Sequence, residues 1–432
     1  MLKILLLHAM GPPKKWFAGV SDVELMFSIY DEGNKYIVHN AFVKLPKFIQ
    51  RYPFDAVIIM STFMDKVTSK GLSSRWIKQY DFLKTFSGTK LVFPQDDYWF
   101  SEIRDQFYLE YGIDRVHPVC PEDSWQELIP NYLQNGGEAQ QGFTTYVTPK
   151  LRNLKLLEKP FEERDNHVVY RAKKTPTAPN RFGYVKGIIG DRFLRRVDSS
   201  KYLIDISTNP NDLIYGDEWY KFIANSRAIL GSNSGSSVRL RNKGVFQRLR
   251  HYQINHPDKI FNEVEEAVFA KEDRNKEYTA ISPRNIEAAM LGTLQILVEG
   301  PYGNILRPNV DYAVLLEDCS NALDVMKIVE DEKKSMEIIN NCRQRLINTR
   351  ELQVENIISD SISLIRNNAE KKSKNRNEMS DNRFKIIAIF YNLLSSITIG
   401  TKSFCFDCVK EITNLIPSRL YNILRSFRQR YG

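Results

Sequence analysis

The residues with the most to say about chemistry fall in one short stretch, Ile281-Ser-Pro-Arg-Asn-Ile-Glu-Ala-Ala-Met-Leu-Gly-Thr-Leu-Gln-Ile-Leu-Val-Glu-Gly300. Ser282 suits a helix N-cap, Pro283 the first helical position and Gly292 the stop. Arg284 and Glu287 ride on the helix, and the apolar run 294–298 delivers Glu299 to the carboxyl end of a strand. Ligands of open α/β sheets sit at those strand ends, beside helix N-termini. A carboxylate such as Glu287 is well placed there to take the two hydroxyls of a ribose.

Three further groups follow the same logic. Arg171 and Lys173 come just after the apolar run 167–170, and Lys186 follows in Tyr184-Val-Lys186-Gly187. An Arg fork and a Lys point charge can together neutralise a diphosphate. Gly231-Ser232-Asn-Ser-Gly-Ser-Ser237 is a turn of small residues, open to close ligand approach and rich in hydroxyls. Glu299-Gly300-Pro-Tyr-Gly303 is a further turn at a strand end. Each group alone is ordinary, since loops carry solvated cations and Gly/Ser turns are common. Their occurrence together and in order carries the functional reading.

Those residues need a scaffold, and the apolar pattern supplies one. Residues 2–8, 54–60 and 90–93 are continuous apolar runs of the kind buried on both faces of a parallel sheet, with helical stretches such as 74–86 between them. They end at Gly11-Pro12-Pro13, Ser61-Thr62 and Pro94-Gln95-Asp96-Asp97 respectively. A second α/β unit opens at 167–170, with strands at 202–206, 228–230, 294–298 and 312–316 and helices at 217–226, 283–291 and 322–348. The fold class is α/β, with two Rossmann-like doubly wound domains facing a cleft. No Gly-x-Gly-x-x-Gly follows the first strand, which argues against a dinucleotide oxidoreductase.

The pattern divides the chain into an acceptor domain (1–155), a donor domain (156–365), a polar linker (366–383) and an amphipathic basic helical tail (384–432). Residues 386–399 are too short an apolar run to span a bilayer. Residues 415–431 interleave apolar side chains with Arg419, Arg425, Arg428 and Arg430, which suits an interfacial helix on an anionic membrane. Packing back on the two domains is the equal alternative.

The net charge of +9 over 432 residues points to an anionic partner. The cations are spread along the chain, not gathered in a stripe, so nucleic acid is not the expected partner. Three of the five cysteines are isolated, which implies no disulfide framework. Cys405-Phe-Asp-Cys408 lacks a second ligand pair, and no metal is expected. The short apolar start is not read as an export signal, giving a cytoplasmic protein that can sit on the inner membrane surface.

The order of Arg171, Lys186, the Gly/Ser turn, Ser282-Pro-Arg-Asn-Ile-Glu287-Ala-Ala-Met-Leu-Gly-Thr and the Glu299-Gly turn resembles the donor domain of GT-B glycosyltransferases. It is most similar to the group-1 (GT4-like) enzymes of bacterial surface-polysaccharide synthesis. The resemblance implies a nucleotide-sugar donor as substrate and no separate cofactor. It also implies retaining transfer without a metal, to a glycan or lipid-linked saccharide. Arg171 and Lys186 would hold the donor diphosphate and Glu287 the ribose. Ser282 and Arg284 would face the sugar or phosphates, with Ser232 and Glu299 completing the donor set. One position departs: the family often carries two glutamates separated by seven residues, and Thr279 stands where the first belongs.

On the acceptor side, Asp96 could orient a hydroxyl as a base, and His8, ending the first strand, could face the cleft. A loop-capping carboxylate and a structural histidine are the plainer readings. A sugar epimerase or phosphorylase on the same scaffold, or an inactive nucleotide-sugar-binding protein, are the rival functions.

Overall fold

The computed structural model describes residues 1–11, 18–174, 180–269, 277–372, 384, 387, 388 and 391. A six-stranded parallel sheet forms the first domain, from β1 (Lys3–His8), β2 (Lys35–Asn40), β3 (Ala56–Ile59), β4 (Thr89–Val92), β5 (Arg115–Val116) and β6 (Glu138–Ala139). Its order is β2-β1-β3-β4-β5-β6. Leu5 of β1 pairs with Ile37 on one side and Val57 on the other. Side chains of a strand alternate between faces, so an apolar residue at every position means both faces are covered. Leu5 and Leu7 enter one core, and Ile4 and Leu6 the opposite one.

The second sheet contains β7 (Asn166–Arg171), β8 (Ile204–Ser207), β9 (Ser226–Gly231), β12 (Leu294–Val298) and β13 (Ala313–Leu315), in the order β13-β12-β9-β7-β8. Its order reverses at β7, which lies between β8 and β9. The crevice at such a switch point is where open α/β sheets bind ligands. Arg171 is the last residue of β7 and Gly231 the last of β9. Between β9 and β12 a two-stranded antiparallel ribbon, β10 (Ser234–Ser236) with β11 (Tyr278–Ala280), brackets a helical hairpin made of Lys243–Asn255 and Phe261–Phe269. Residues 322–348, read as one helix, divide at Asp331, whose side chain caps the second half by accepting from Lys334 N–H at 3.0 Å.

The chain passes between domains twice, at Val147 and at Gln353, and the passages pair with each other. Val147 N–H donates to Leu352 O at 2.7 Å and Val354 N–H to Val147 O at 3.3 Å. The helix Val354–Lys372 then covers the first sheet with Ile357, Ile358, Ile362 and Ile365, so this segment of the sequence-defined donor domain packs on the other sheet. It also runs past 365 into the stretch expected to be a linker. A second interdomain tie joins Leu240 to the first domain: Leu240 N–H donates to Tyr98 O at 2.9 Å, and Phe100 N–H to Leu240 O at 2.6 Å. Trp99 packs on Phe246 of the helical hairpin there, with ring centroids 5.5 Å apart.

Of the tail, Phe384, Ala388 and Tyr391 are buried in the first-domain core. Tyr391 shares a 2.5 Å hydrogen bond with the His39 ring. The opening of the tail therefore packs back on the protein, while residues 392–432, including the Cys405–Cys408 pair, lie outside the described residues. Among the described residues, no helix is long and apolar enough to cross a membrane.

Candidate functional site

The helix Pro283–Met290 is fixed at both ends. Ser282 N–H donates to the Asn285 side chain at 2.9 Å, one half of a capping box. Gly292, at φ +70°, ends it in the left-handed conformation that glycine adopts without strain. Asn285 and Gln295 exchange hydrogen bonds of 2.8 and 3.0 Å, locking the helix to β12. Glu287 is thereby held on the buried face, 4% exposed. Burial pushes its carboxyl up, opposed by a 2.8 Å hydrogen bond from the Trp219 indole N–H and by the charges of Arg284 and Lys150.

Arg284 bridges the switch point. Its guanidinium donates to Arg171 O at the end of β7 (2.6 Å) and to Leu230 O of β9 (3.5 Å), and lies over the Tyr170 and Trp219 rings. It holds the splayed strand ends together. Arg171 is similarly engaged, with Asp205 at 2.8 Å and Phe222 beneath its guanidinium, while its Nε is buried with no hydrogen-bond partner among the described residues. Among the described residues, the Lys186 ammonium has neither a hydrogen bond nor an ion pair. The Lys186 side chain is exposed, and it lines a cavity walled by both domains. Loss of hydration, and secondarily Arg284, push Lys186 down to about 8, while Asp96 on the facing domain opposes the shift.

These groups converge on a cavity of about 260 Å³ lined by Arg171, Lys186, Ser282, Arg284, Glu287 and Trp219. The first domain closes it with Gly19 and Val20. A side chain at Gly19 would place its first carbon 3.0 Å from Glu287 Oε1, so the absence of one sets how closely the domains approach. A larger, more open cavity of about 640 Å³ behind the helix Glu218–Ala224 holds none of the sequence-predicted residues.

No protein-family model matches the chain, and no curated protein does. Among solved structures, an alpha-glucosyltransferase in complex with UDP-glucose and DNA containing an abasic site aligns with a TM-score of 0.50 at 10% identity, covering 84% of this chain and 99% of that one. The fold is that of the GT-B glycosyltransferases. Sucrose-phosphate synthase from Thermosynechococcus elongatus aligns at 0.48 and 10% identity, over 85% of this chain and 99% of that one. Anabaena HepE in complex with UDP aligns at 0.47 and 11%, over 85% and 100% respectively.

Within this GT-B fold, not every expected residue reaches the cavity. Ser232 and Glu299 do not line it. The turn that carries Ser232 leads directly into β10, which pairs with β11, and the Glu299 carbonyl accepts from Asn233 at 3.0 Å, so the two turns bind each other. Thr279 is buried in β11, where its hydroxyl accepts Gly303 N–H at 2.9 Å and pins the turn after β12.

His8 and Asp96 also stand outside the cavity. His8 is 5% exposed, accepts Met10 N–H at 3.3 Å and is pushed down to about 4 by burial, which keeps it neutral at pH 7. Asp96 is exposed at φ +51° and accepts the Tyr98 hydroxyl at 2.6 Å. Its neighbour Asp97 is the loop-capping carboxylate, accepting from the N–H groups of Val119 (2.5 Å) and Cys120 (3.3 Å).

Sequence reasoning missed Trp219 and Gly19 as cavity residues. Trp219 is one turn from Phe222 and Ile223, so its helix reads as core. Gly19 belongs to the other domain and follows a Pro-containing loop. Glu24 was missed as well. It is buried and accepts from both Ser61 and Thr62 at the N-terminus of the helix Ser61–Lys70.

Proposed function

We propose that the chain is a glycosyltransferase that takes a nucleotide-activated sugar in the cavity between its domains and passes the sugar to a glycan or lipid-linked saccharide of a surface polysaccharide. The observation that carries this reading is the meeting of one buried carboxylate, Glu287, with Arg171, Lys186 and Arg284 at the second sheet's switch point, under a first-domain wall. Glu287 Oε2 is held by Trp219, leaving Oε1 to accept from a ribose. Lys186, with Arg171 lining the same cavity, would stabilise the leaving diphosphate, and fixed cations in a partly dehydrated site can do so without a metal. Retention of anomeric configuration belongs to the same reading. So does a cytoplasmic protein held peripherally at the inner membrane surface.

Calorimetry with UDP and GDP tests the site directly. Glu287→Ala is expected to weaken nucleoside-diphosphate binding at least tenfold, and an unchanged affinity would reject the ribose assignment. Radiolabel transfer to an added acceptor, as opposed to donor isomerisation or phosphorolysis, tests the reaction. One observation favours a second reading, a protein that binds the donor without turning it over. The hydroxyl of Thr279, at the position of the family's first glutamate, is buried and committed to Gly303. Donor binding without transfer across a wide acceptor panel would support that alternative.

A further inference from the structure

The segment that follows β2 alternates in a way the core does not require. Ala41, Val43, Leu45 and Ile49 point inward and are buried. Their outward neighbours Phe42, Lys44, Lys47, Phe48 and Arg51 are exposed, with Phe42 at 49% and Phe48 at 56%. Two large aromatic rings are therefore about half exposed among three cations, and residues 41–52 contain no Asp or Glu. Lys66 adds a further cation 4.2 Å above the Phe42 ring.

The described tail residues bracket the same segment. Tyr391 reaches His39 just before it, and Phe384 packs on Tyr52 at its end and on Phe54 just after it. The sequence from 392 onward lies outside the described residues. It carries Lys402, Lys410, Arg419, Arg425, Arg428 and Arg430 against Asp407 and Glu411, with aromatic residues between them.

We propose that residues 41–52 form a docking surface for an anionic phospholipid bilayer. Aromatic rings partition to the headgroup boundary, while Lys and Arg are drawn to the negative surface and keep their charged ends in the aqueous layer. Neither signal holds a protein firmly alone, and residues 41–52 carry both, exposed rings and exposed cations. A nucleic-acid surface would call for a longer basic stripe following a phosphate backbone. The inference does not depend on the reaction catalysed.

Flotation of the full-length protein with phosphatidylcholine vesicles, and with vesicles containing roughly 30% phosphatidylglycerol, tests it. Binding is expected only to the anionic vesicles and is expected to weaken as salt is raised, because surface attraction is screened. Phe42→Ser with Phe48→Ser, and separately Lys44→Glu with Lys47→Glu and Arg51→Glu, should each lower partitioning roughly tenfold or more. Thermal melting and elution volume should stay as in the parent protein, since these side chains are exposed. The proposal is overturned if both variants float like the parent or if the parent ignores anionic vesicles. It is equally overturned if the double Phe variant instead abolishes a dimer, or if duplex DNA is retained where vesicles are not.

Discussion

The indole N–H of Trp219 donates to Oε2 of Glu287 at 2.8 Å, joining the helix Glu218–Ala224 to the helix Pro283–Met290 across the cavity wall. Trp219→Phe keeps the aromatic body and deletes the donor. A buried carboxylate left without its partner costs about 1–3 kcal/mol, so the urea midpoint should fall. Nucleoside-diphosphate affinity, measured by calorimetry, should fall with it, because Glu287 becomes easier to protonate and freer to turn.

Lys186 gives the site a pH dependence of its own. Its ammonium is pushed down to about 8, so it is charged below that pH and neutral above it. Nucleoside-diphosphate affinity should be flat up to about pH 7.5 and decline as pH rises through 8, since only the charged form attracts phosphate. Lys186→Met should bind roughly tenfold or more weakly and show no such decline. A parallel decline in the variant would assign the titration to another group.

Glu24 links folding to pH. Burial pushes its carboxyl up to about 7, although Ser61 and Thr62 donate to it and pull the other way. A carboxyl that is a weaker acid folded than unfolded binds more protons in the native state. Its contribution is therefore complete below about pH 4.5 and is lost as pH rises through 7. The difference amounts to about 3 kcal/mol. Glu24→Gln should flatten the melting temperature between pH 5 and pH 7.5 without abolishing its slope. Buried Asp97 is pushed up to about 6 and titrates in the same direction.

Restoring the family glutamate should not restore a family site. Thr279→Glu would put a carboxylate in a 3% exposed position and remove the acceptor that Gly303 N–H now uses. Burying a charge without a partner is among the costliest single changes, and a loss of about 3 kcal/mol or more is expected in denaturant unfolding. A variant as stable as the parent would show that the turn after β12 can repack.

Much of this arrangement was legible in the sequence because its signals are local. The cap at Ser282, the proline after it and the stop at Gly292 lie within one helix, so Glu287 could be placed on that helix. Apolar runs such as 2–8 announced strands covered on both faces. β2 escaped notice because Lys35-Tyr-Ile-Val-His-Asn40 is polar at both ends and its apolar middle is short. Contacts between distant residues were not legible at all. Thr279 looked like a lost glutamate, and its hydrogen bond to Gly303 depends on a ribbon that pairs it with Gly235 across the helical hairpin. Trp219 and Gly19 reach Glu287 only once a second helix and the other domain are in place. The helix Val354–Lys372 was not read from the sequence, and nothing in the spacing of its isoleucines says which sheet it covers.

The interdomain contacts have a consequence for motion. A body fixed to another at one point can swing in any direction, and each further contact removes some of that freedom. The paired passages at Val147 and Gln353 supply one contact and the Leu240 bonds to Tyr98 and Phe100 a second. Tyr278 supplies a third, donating to Glu127 at 2.6 Å from within the first-domain core. At about 1 kcal/mol net for each hydrogen bond, and with Trp99 also leaving Phe246, an excursion that breaks the contacts beyond the passages is confined to a small minority of molecules. A large ligand therefore enters a cleft whose two walls already hold each other.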